Sequence, residues 1–576
     1  MNRSDGRAAV ERPHEDAPAG AVGWTAAGLF WGCVVFLLLF LATRVARLLS
    51  WQHTMDDAYM FVRYADHVVH HGCLSWNVPG QPTYGLTAPA YLAVVIPMHL
   101  LAPASPGTAI LVSSLVSGAL FLALLYVLLA RYGGVPAQAQ RTVALFTLGA
   151  LLVGSYPLAF HITSGMDTMF DLAALTALFI AHKRNEQRPT RGWTVALGLA
   201  TGLVFFVRPD LVIYSIGVVS VGLLAARDRE TRRRFALILV IGIATLAVEL
   251  LATYSYFGLP LPLPFYAKGL HSYTGRVLSV YRYTSYVELG GFVQHHWPLL
   301  LVVLPAFAYL VRRRGLRVFS PVELGMAAST VVFTAYYLFF VLQILPHQAR
   351  FYYPTVPALY LLATRCLVLL HEADAPLVRW LRRLRTGLTN AGRTRSRMVG
   401  VGTAIALLGL GGLAAYRARQ LVTAVADIRA NHVFDVAARY ASMEWDIWYR
   451  LDEISSLPDD LVLGTTEVGI PSALNPGKRL VDLAGLNDTE VARNGFRLDG
   501  VLQRSGVDAL YLPHPDYTDL NETLLGDAWF RERYEVFSAK DLDCVMGLAI
   551  RRDGKYFSRL HAIATEGPWP RPRIHD

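Results

Sequence analysis

The sequence has 576 residues, of which 54% are hydrophobic and only 17% are charged, whereas soluble domains carry about 25% charged residues. This composition excludes a wholly soluble or disordered protein. The net charge of +10 does not indicate nucleic-acid binding, because the basic residues form short clusters between long apolar runs, a pattern typical of a membrane protein. The four cysteines are too scattered for a disulfide framework, and none forms a CxxC or CxxH pair typical of zinc sites.

Eleven apolar runs predict membrane-spanning helices, since about 20 such residues cross a bilayer. The first run is too long for a removable signal peptide and has no small-residue cleavage site after it. The eleven runs are Ala17 to Thr43, Gly107 to Ala130, Thr142 to Ser164, Met169 to His182, Gly192 to Val207, Leu211 to Ala226, Phe235 to Gly258, Trp297 to Val311, Pro321 to Leu345, Phe351 to Leu370 and Met398 to Tyr416.

A further apolar stretch, Ala88 to Ala102, is short and contains Pro89 and Pro97, so we interpret it as an interfacial or re-entrant helix. The basic clusters between spans then all lie on one side, which the positive-inside rule identifies as cytoplasmic. Those clusters are Arg131 and Arg141, Lys183 to Arg191, Arg227 to Arg234, Arg312 to Arg317, and Arg379 to Arg397. If the stretch crossed the membrane, every later cluster would lie outside.

This topology predicts three parts in a bacterial cytoplasmic (inner) membrane. Residues 1–20 are a cytoplasmic tail, residues 21–416 are the helical membrane domain with a first external loop over 44–106, and residues 417–576 are an extracytoplasmic α/β domain. Short β-like runs in the last part support that class, at Leu461 to Gly464, Arg479 to Leu483, Asp508 to Leu512 and Val545 to Ile550. Neither GK[ST] nor GxGxxG occurs around Gly464 and Gly469, so a nucleotide site is not indicated.

The first external loop contains the adjacent carboxylates Asp56 and Asp57. Such a pair can divide its labour: one carboxylate takes a proton from a hydroxyl, while its neighbour orients the hydroxyl, holds a cation or raises the first one's basicity. The alternative is that both aspartates only cap a helix over Ala58 to His71.

The same loop continues with Trp76, Asn77, Tyr84 and Thr87. Aromatic faces with amide and hydroxyl groups suit a sugar, which presents C–H faces and hydroxyls. An aromatic belt at the membrane interface explains Trp76 and Tyr84 equally well.

Five of the predicted external segments contain ionisable groups between apolar spans, which predicts one shared site on that face. The alternative for each group is a helix-end charge that reaches to the membrane surface. The groups are Asp56 and Asp57 with Arg63, then Asp167, Arg208 with Asp210, Lys268, and His347 with Arg350.

Several motifs occur in a fixed order along the chain. They are Asp56-Asp57-Ala58-Tyr59 with Arg63, Pro79-Gly80 and Tyr84-Gly85, then Ser164-Gly165-Met166-Asp167, Arg208-Pro209-Asp210, Tyr256-Phe257-Gly258 followed by Tyr266-Ala267-Lys268, Arg350-Phe351, and Asp482 to Asp488. This ordered set resembles GT-C-fold glycosyltransferases that use polyprenyl-phosphate sugars. It is most similar to the bacterial group of terminal β-(1→2)-arabinofuranosyltransferases and flagellar-motor-control-like proteins.

The resemblance implies a GT-C fold, a polyprenyl-phosphate-sugar donor, an external active site and no nucleotide sugar. It suggests arabinofuranose as the sugar and a cell-envelope glycan or glycoprotein as the acceptor. Two departures from the family pattern matter: Asp167 replaces the usual Glu, and Leu263-Pro264 replace the usual Asn and Thr.

Within that resemblance, cations are expected where charge develops on the donor phosphate, which gives Arg63, Arg208, Lys268, His347 and Arg350. As a hypothesis, Asp56 is the general base, while Asp57 and Asp167 position hydroxyls. Together these three carboxylates are compatible with a divalent cation but do not require one. Glu249, deep in a span, is expected to pair internally or line a cavity. The rival functions are a transporter or flippase of lipid-linked sugars and a non-catalytic envelope assembly protein.

Overall fold

The computed structural model of the chain describes residues 19–50, 54–135, 149, 156–269, 283–341, 343, 348–372, 379, 393–430, 451–513, 517–538 and 547–565. Up to residue 430 the described elements are helical. They are α1 (Ala19–Ser50), α2 (Tyr59–His71), α3 (Leu92–Leu101), α4 (Pro106–Tyr132), α5 (Tyr156–Thr163), α6 (Thr168–Gln187), α7 (Arg191–Val207), α8 (Val212–Ala225), α9 (Arg229–Phe257), α10 (Leu263–Gly269), α11 (Thr284–Arg314), α12 (Pro321–Phe339), α13 (Val356–Glu372) and α14 (Arg393–Ala430).

The helices follow the apolar runs of the sequence, except that most of the predicted span 142–164 lies outside the described residues. By length and hydropathy, five of the described helices can cross a membrane, namely α1, α4, α9, α12 and α13 with the turn before it. Two bent helical pairs, α5 with α6 and the two halves of α11, raise that number to seven. The described part of the chain thus supports five to seven spans, and the total of eleven stays a prediction.

The ends of these helices follow from local capping chemistry. Asp228 begins α9 by accepting a hydrogen bond from Thr231 N, and Gly258, with a left-handed φ of 72°, ends it. Ser320 and Glu323 form a capping box at the start of α12. At 10 residues, or about 15 Å, α3 is too short to cross a bilayer, in keeping with the interfacial interpretation of Ala88 to Ala102.

The helices α4 to α9 and α11 to α13 share one apolar core, in which Phe121, Leu172, Tyr214 and Phe333 are fully buried. Helices α7 and α9 approach each other closely at Gly202, since a Cβ there would lie 2.7 Å from Gly242 O. Small residues at such contacts are the usual means of packing helices within a membrane.

Residues 451–565 contain a five-stranded mixed sheet with small helices. Its strand order is β2-β1-β3-β5-β4; the first three strands are parallel, and β5 is antiparallel to both β3 and β4. The strands are β1 (Val462–Thr465), β2 (Arg479–Asp482), β3 (Ala509–Tyr511), β4 (Tyr534–Ser538) and β5 (Gly547–Arg551). The helices are α15 (Leu451–Ser455), α16 (Ile470–Leu474), α17 (Thr489–Asn494), α18 (Thr518–Gly526), α19 (Ala528–Arg533) and α20 (Phe557–Thr565). The sequence interpretation omits β4 and places the other four strands within two residues of their ends.

The sheet layer packs directly on the segment that follows α1. One apolar core contains Ala58, Phe61 and Tyr91 from that segment together with Leu463 and Leu480 from the sheet. The predicted domain boundary between residues 416 and 417 lies inside the continuous helix α14, which packs along α1. The segment 54–105 and the C-terminal sheet thus form one packing unit above the helices.

Candidate active site

The turn before α2 presents its two carboxylates in different directions. Met55 N donates to Ser164 O (2.9 Å), which anchors the turn to the end of α5. Residues Asp56–Ala58 then form a 3-10 turn, in which successive side chains are about 120° apart. Neither aspartate caps α2 through its side chain, so the simple capping alternative does not describe them.

Asp56 faces the C-terminal sheet layer. Its carboxylate accepts hydrogen bonds from Gly469 N (2.9 Å) and Ile470 N (2.6 Å). A Cβ at residue 469 would collide with Asp56 O, so glycine is needed for this approach. Burial raises the pKa of Asp56 to about 7 against the opposing effect of these donors, and the neighbouring Asp57 raises it further. Asp56 thus links two parts of the chain and does not line the cavity described next, so its role as the base stays a prediction.

A cavity of about 260 Å³ lies where the segment 54–87 meets the ends of several helices. Side chains from separate parts of the chain converge there. The polar ones are Asp57, Thr87, Asp167, Arg208, Asp210, Lys268 and Arg350, and the apolar ones include Met60, Phe61, Leu86, Pro264, Phe265, Phe340 and Leu486. The structure therefore brings together six of the predicted site residues on one side of the helices.

Arg350 is the cation in this cavity with the most unused hydrogen-bonding capacity. It follows Gln348 and Ala349, both of which have left-handed φ angles (56° and 61°), and it begins the 3-10 turn Arg350–Thr355. The residue is only 6% exposed, and its Nε and Nη1 atoms have no hydrogen-bond partner among the described residues. Buried donors without acceptors are costly, so this guanidinium is poised to receive an anionic oxygen ligand.

Asp57 lies opposite Arg350, with 3.9 Å between Asp57 Oδ2 and Arg350 Nη2. This distance is longer than that of a charge-assisted hydrogen bond, which is about 2.8 Å. The Asp57 side chain is 29% exposed. Among the described residues no hydrogen bond occupies the Asp57 carboxylate oxygens, so they are available as acceptors at the cavity.

Lys268 lies on α10, next to the departures Leu263 and Pro264 from the family motif. Leu263 N donates to Tyr84 O (2.7 Å), so α10 is fixed by the loop that carries the aromatic residues. Burial lowers the pKa of Lys268 to about 8, and the nearby charge of Arg350 lowers it further. No ion pair within 4.0 Å involves Lys268 among the residues that the structure describes, so the ammonium is a second cation available to a ligand.

Arg208, by contrast, is fully engaged with protein atoms. Its Nε contacts Asp210 (3.0 Å), its Nη1 contacts Asp171 (3.0 Å), and its Nη2 donates to Tyr337 Oη (3.2 Å). Tyr337 in turn donates to Asp210. With two carboxylates around one guanidinium, Arg208 shapes the cavity wall, and the structure does not support its predicted role in binding the donor phosphate.

Asp167 reaches the cavity through the turn between α5 and α6. Gly165 has a left-handed φ of 80°, and a Cβ there would lie 3.0 Å from Ala58 Cβ. Tyr91 Oη donates to Gly165 O (3.1 Å), which fixes this turn against the first loop. Asp167 is 4% exposed and lines the cavity together with Thr87.

Arg63, Trp76 and Asn77 lie outside the cavity, in the contact between the first loop and the C-terminal sheet. The Trp76 indole and the Asn77 amide both donate to Leu480 O (3.1 and 2.9 Å), and Asn77 Oδ1 accepts from Leu480 N (2.8 Å). Arg63 is 1% exposed, and its donors bind the main-chain oxygens of Trp76, Ser472, Asn475 and Lys478 and the side-chain oxygen of Asn77. The structure assigns these three residues to the interface and does not support their predicted roles in binding phosphate and sugar.

Tyr84 is also turned away from the cavity. Its ring stacks on Phe257 with 4.6 Å between centroids, and its buried hydroxyl has no hydrogen-bond partner among the described residues. The two carboxylate oxygens of Glu249 are likewise buried without partners in the described part of the chain. The main chain of Phe206 lies near the Glu249 carboxylate, so the expectation that Glu249 pairs internally or lines a cavity stays a prediction.

Two further predictions concern His347 as a phosphate ligand and a divalent cation held by three carboxylates. His347 lies outside the described residues. Among the residues that are described, no three His, Cys, Asp or Glu side chains form a group that could hold a metal ion. Because Asp56 is turned to residues 469 and 470, the three carboxylates proposed for a divalent cation do not form one site.

The sequence interpretation missed several residues of the cavity. Behind the cavity wall, Asp171 is buried in α6 and forms an ion pair with Arg208, and an aspartate inside an apolar run is a sequence pattern that could have indicated it. Tyr337 and Phe351 stack with 5.2 Å between their centroids, and the Arg350 guanidinium lies 4.8 Å from the Phe351 ring. Leu486, from the C-terminal part, closes one wall. No local pattern distinguishes these aromatic and aliphatic residues from ordinary core residues.

No protein family model and no curated protein sequence matches the chain. Two of the solved structures that are similar to it are of one protein. They are ArnT from Cupriavidus metallidurans in the apo state (TM-score 0.49) and the same protein bound to undecaprenyl phosphate (TM-score 0.51). In each case 16% of residues are identical, and the match covers 92% of this chain and 98% of the other. The second likeness shows that the chain has the ArnT-like GT-C fold, as the ordered motifs predicted.

Proposed function

We propose that the protein is a membrane glycosyltransferase, which transfers a sugar from a polyprenyl-phosphate donor to a glycan or protein acceptor of the bacterial cell envelope. The observation that carries this proposal is the buried Arg350 guanidinium, whose Nε and Nη1 lack partners among the described residues. It lies with Lys268 and Asp57 in one cavity. Two available cations and a carboxylate are the groups that a transfer from a phosphate leaving group requires.

The donor phosphate is bound by Arg350 and Lys268. Arginine presents a planar fork of donors that matches phosphate oxygens, and lysine adds a compact positive charge. Both groups are partly or fully removed from water, which strengthens their interaction with an anion. That the ArnT structure of the same fold holds undecaprenyl phosphate supports a lipid phosphate as the ligand.

The apolar wall of the cavity suits the polyprenyl chain. Phe265 and Phe340 line the cavity and are also 37% and 79% exposed. Both side chains therefore form part of the cavity wall and part of the outer surface of the helices. In a bilayer that surface faces lipid, so a hydrocarbon chain can extend from the cavity into the membrane without crossing a polar region.

Asp57 is the general base in this proposal, in place of Asp56. It removes the proton from the acceptor hydroxyl as the hydroxyl oxygen forms a bond to the anomeric carbon. The bond between that carbon and the phosphate oxygen breaks, and its electron pair leaves with the polyprenyl phosphate. The negative charge gained by that phosphate is balanced by Arg350 and Lys268.

The remaining details follow the family resemblance and the topology. Thr87 and Asp167 hold hydroxyls of the sugar or the acceptor, and arabinofuranose is the sugar that the resemblance suggests. The site faces the extracytoplasmic side because the basic clusters lie at the other ends of the helices. The C-terminal layer, which contributes Leu486 to the cavity, is then positioned to hold the acceptor.

The test uses the purified full chain in proteoliposomes with a radiolabelled polyprenyl-phosphate arabinofuranose and cell-envelope material as acceptor. The proposal expects label in the acceptor fraction and release of polyprenyl phosphate, both abolished by Asp57→Asn. Movement of the intact labelled lipid across the bilayer without its cleavage would instead establish the rival transporter. If no donor is cleaved or moved, while the protein still binds envelope material, the assembly-protein alternative is correct.

A further inference from the structure

A second cavity, of about 360 Å³, lies at the opposite ends of the helices that frame the active-site cavity. Helix α6 begins beside Asp167 in the first cavity and brings Asn185 and Glu186 to the second. Helix α12 begins beside Ser320 in the second cavity and ends beside Phe340 in the first. A helix of about 20 residues is about 30 Å long, which matches the hydrocarbon thickness of a bilayer. The two cavities therefore open at opposite membrane interfaces.

The second cavity is rich in arginine. Its lining includes Arg227, Arg234, Arg317 and Arg365, which come from three different parts of the chain. Arg234 on α9 and Arg365 on α13 are half-buried, whereas Arg227 and Arg317 are exposed at the rim. Isolated arginines at a membrane surface usually extend into water, whereas these four line one partly open cavity.

The acidic groups near the cavity are already engaged with other protein groups. Asp228 caps α9 through Thr231 N (2.8 Å). Glu186 lies 2.7 Å from Lys183 Nζ. Glu323 lies 3.0 Å from both Lys183 Nζ and Arg365 Nε. Because Lys183 and the four arginines outnumber these three carboxylates, positive charge remains in excess at the cavity.

Two buried polar atoms at the cavity have no partner among the described residues. One is Arg234 Nε, and the other is Nε2 of His182, a residue that is only 2% exposed. The N-terminal ends of α9 and α12 also meet here, but Asp228 and the Ser320–Glu323 capping box already occupy them, so neither end is offered to a ligand. The guanidinium groups and the two unpartnered nitrogen atoms are therefore the features that point to an anionic ligand.

We propose that this cavity binds a phosphate-bearing anion, either the headgroup of an acidic phospholipid or a free phosphate compound, at the membrane interface opposite the active site. The bound anion joins the ends of α6, α9 and α12 with the Arg365 side chain of α13, since each contributes a lining residue. This inference is independent of the proposed glycosyltransferase activity, because it uses none of the residues of the first cavity.

The experiment measures the thermal unfolding of the full chain with two probes. In a neutral detergent, inorganic phosphate is compared with chloride at equal ionic strength. In nanodiscs, phosphatidylcholine with added phosphatidylglycerol is compared with phosphatidylcholine alone. The proposal expects a higher midpoint temperature with at least one probe. A rise with phosphatidylglycerol alone identifies the lipid headgroup, a rise with phosphate alone identifies a soluble ligand, and a rise with both shows that either source can fill the site.

Arginine variants test whether the rise in midpoint temperature comes from binding in this cavity. Arg234→Gln/Arg317→Gln is expected to weaken the apparent affinity for the effective probe by about tenfold or more, because each lost charge-assisted contact is worth about that factor. Arg312→Gln/Arg314→Gln removes the same charge from exposed positions outside the cavity and is expected to keep the full response. Arg350→Gln is expected to keep it too, which excludes phosphate binding in the first cavity as the cause.

Two results would overturn the proposal: no midpoint rise with either probe, or an equal rise in the wild type and in Arg234→Gln/Arg317→Gln. If that double variant does not fold, Arg317→Gln alone serves, because the Arg317 side chain is exposed and no hydrogen bond or ion pair of that side chain is found in the described part of the chain. An undiminished response in Arg317→Gln together with undiminished retention of phosphatidylglycerol in native mass spectrometry would then contradict the site.

Discussion

Asp57 Oδ2 lies 3.9 Å from Arg350 Nη2, whereas the adjacent Asp56 is hydrogen bonded to Gly469 N and Ile470 N. The 3-10 turn thus directs these two neighbouring carboxylates to different parts of the protein. Asp57 faces the cavity, whereas Asp56 binds the C-terminal layer. The comparison between these two residues is the sharpest test of the proposed chemistry.

Replacing Asp57 with Asn removes the proposed base while preserving the size of the side chain. We expect kcat to fall about 10²- to 10⁴-fold, the range typical for the loss of a general base, with little change in thermal stability. The measurement is steady-state transfer from a polyprenyl-phosphate sugar, paired with a thermal unfolding curve. Asp56→Asn is the matched control, and we expect it to lose stability while retaining most of its activity. Equal activity losses in both variants at equal stability would contradict the division of tasks.

Arg350→Gln tests the phosphate contact. Its Nε and Nη1 donors have no other partner in the described residues, so we expect kcat/KM to fall about 10²- to 10³-fold, as for the loss of one preorganised electrostatic donor. The measurement is the initial rate over a range of donor concentrations. Arg504→Gln is the control, because that side chain is 70% exposed on the C-terminal layer. A rate for Arg350→Gln within twofold of the wild type would rule out Arg350 as the phosphate ligand.

The sequence predicted the helices well because apolar runs and their flanking polar residues determine where helices begin and end. It also predicted that Asp57, Asp167, Lys268 and Arg350 would meet, since a common topology places them on one face. It could not decide between Asp56 and Asp57, because the deciding partners lie in a turn at residues 469 and 470, far away in the chain.

The same reason explains why the sequence did not predict the structural contacts of Arg63. A buried arginine and a ligand-binding arginine have the same local sequence signal, and only the tertiary contact with four main-chain oxygens distinguishes them. Strand β4 was missed although, at five residues, it is at least as long as the strands that were predicted. The local pattern of apolar residues predicts helices and strands, whereas the role of a single residue depends on its contacts with distant segments of the chain.

Arg63→Gln tests the contact between the first loop and the C-terminal layer. The shorter neutral side chain leaves buried carbonyl oxygens unsatisfied, and we expect a loss of about 3 kcal/mol or more in the free energy of unfolding. The measurement is thermal unfolding together with limited proteolysis of the C-terminal layer. Arg504→Gln, whose exposed ion pair with Glu490 spans 3.3 Å, is expected to change stability by less than about 1 kcal/mol. Unchanged proteolysis of Arg63→Gln would contradict the structural assignment.

Lys268 is expected to make kcat/KM of the proposed reaction decrease at alkaline pH. Its pKa is lowered to about 8 by burial and by Arg350, so the ammonium is charged below that pH and loses its proton above it. The donor is a phosphodiester and does not titrate near neutral pH. We therefore expect kcat/KM, which reports the free enzyme, to fall as the pH rises through about 8. The measurement is the pH profile of kcat/KM at constant ionic strength.

The matched variant is Lys268→Arg, which keeps the charge but has a pKa far above the range of the assay. Its kcat/KM is expected to stay level through pH 8, at a lower plateau because the guanidinium fits the lysine position imperfectly. Lys268→Gln removes the charge altogether and is expected to show a low rate with no alkaline limb. If Lys268→Arg and the wild type share the same alkaline limb, another group titrates, and Lys268 does not supply the cation to the phosphate.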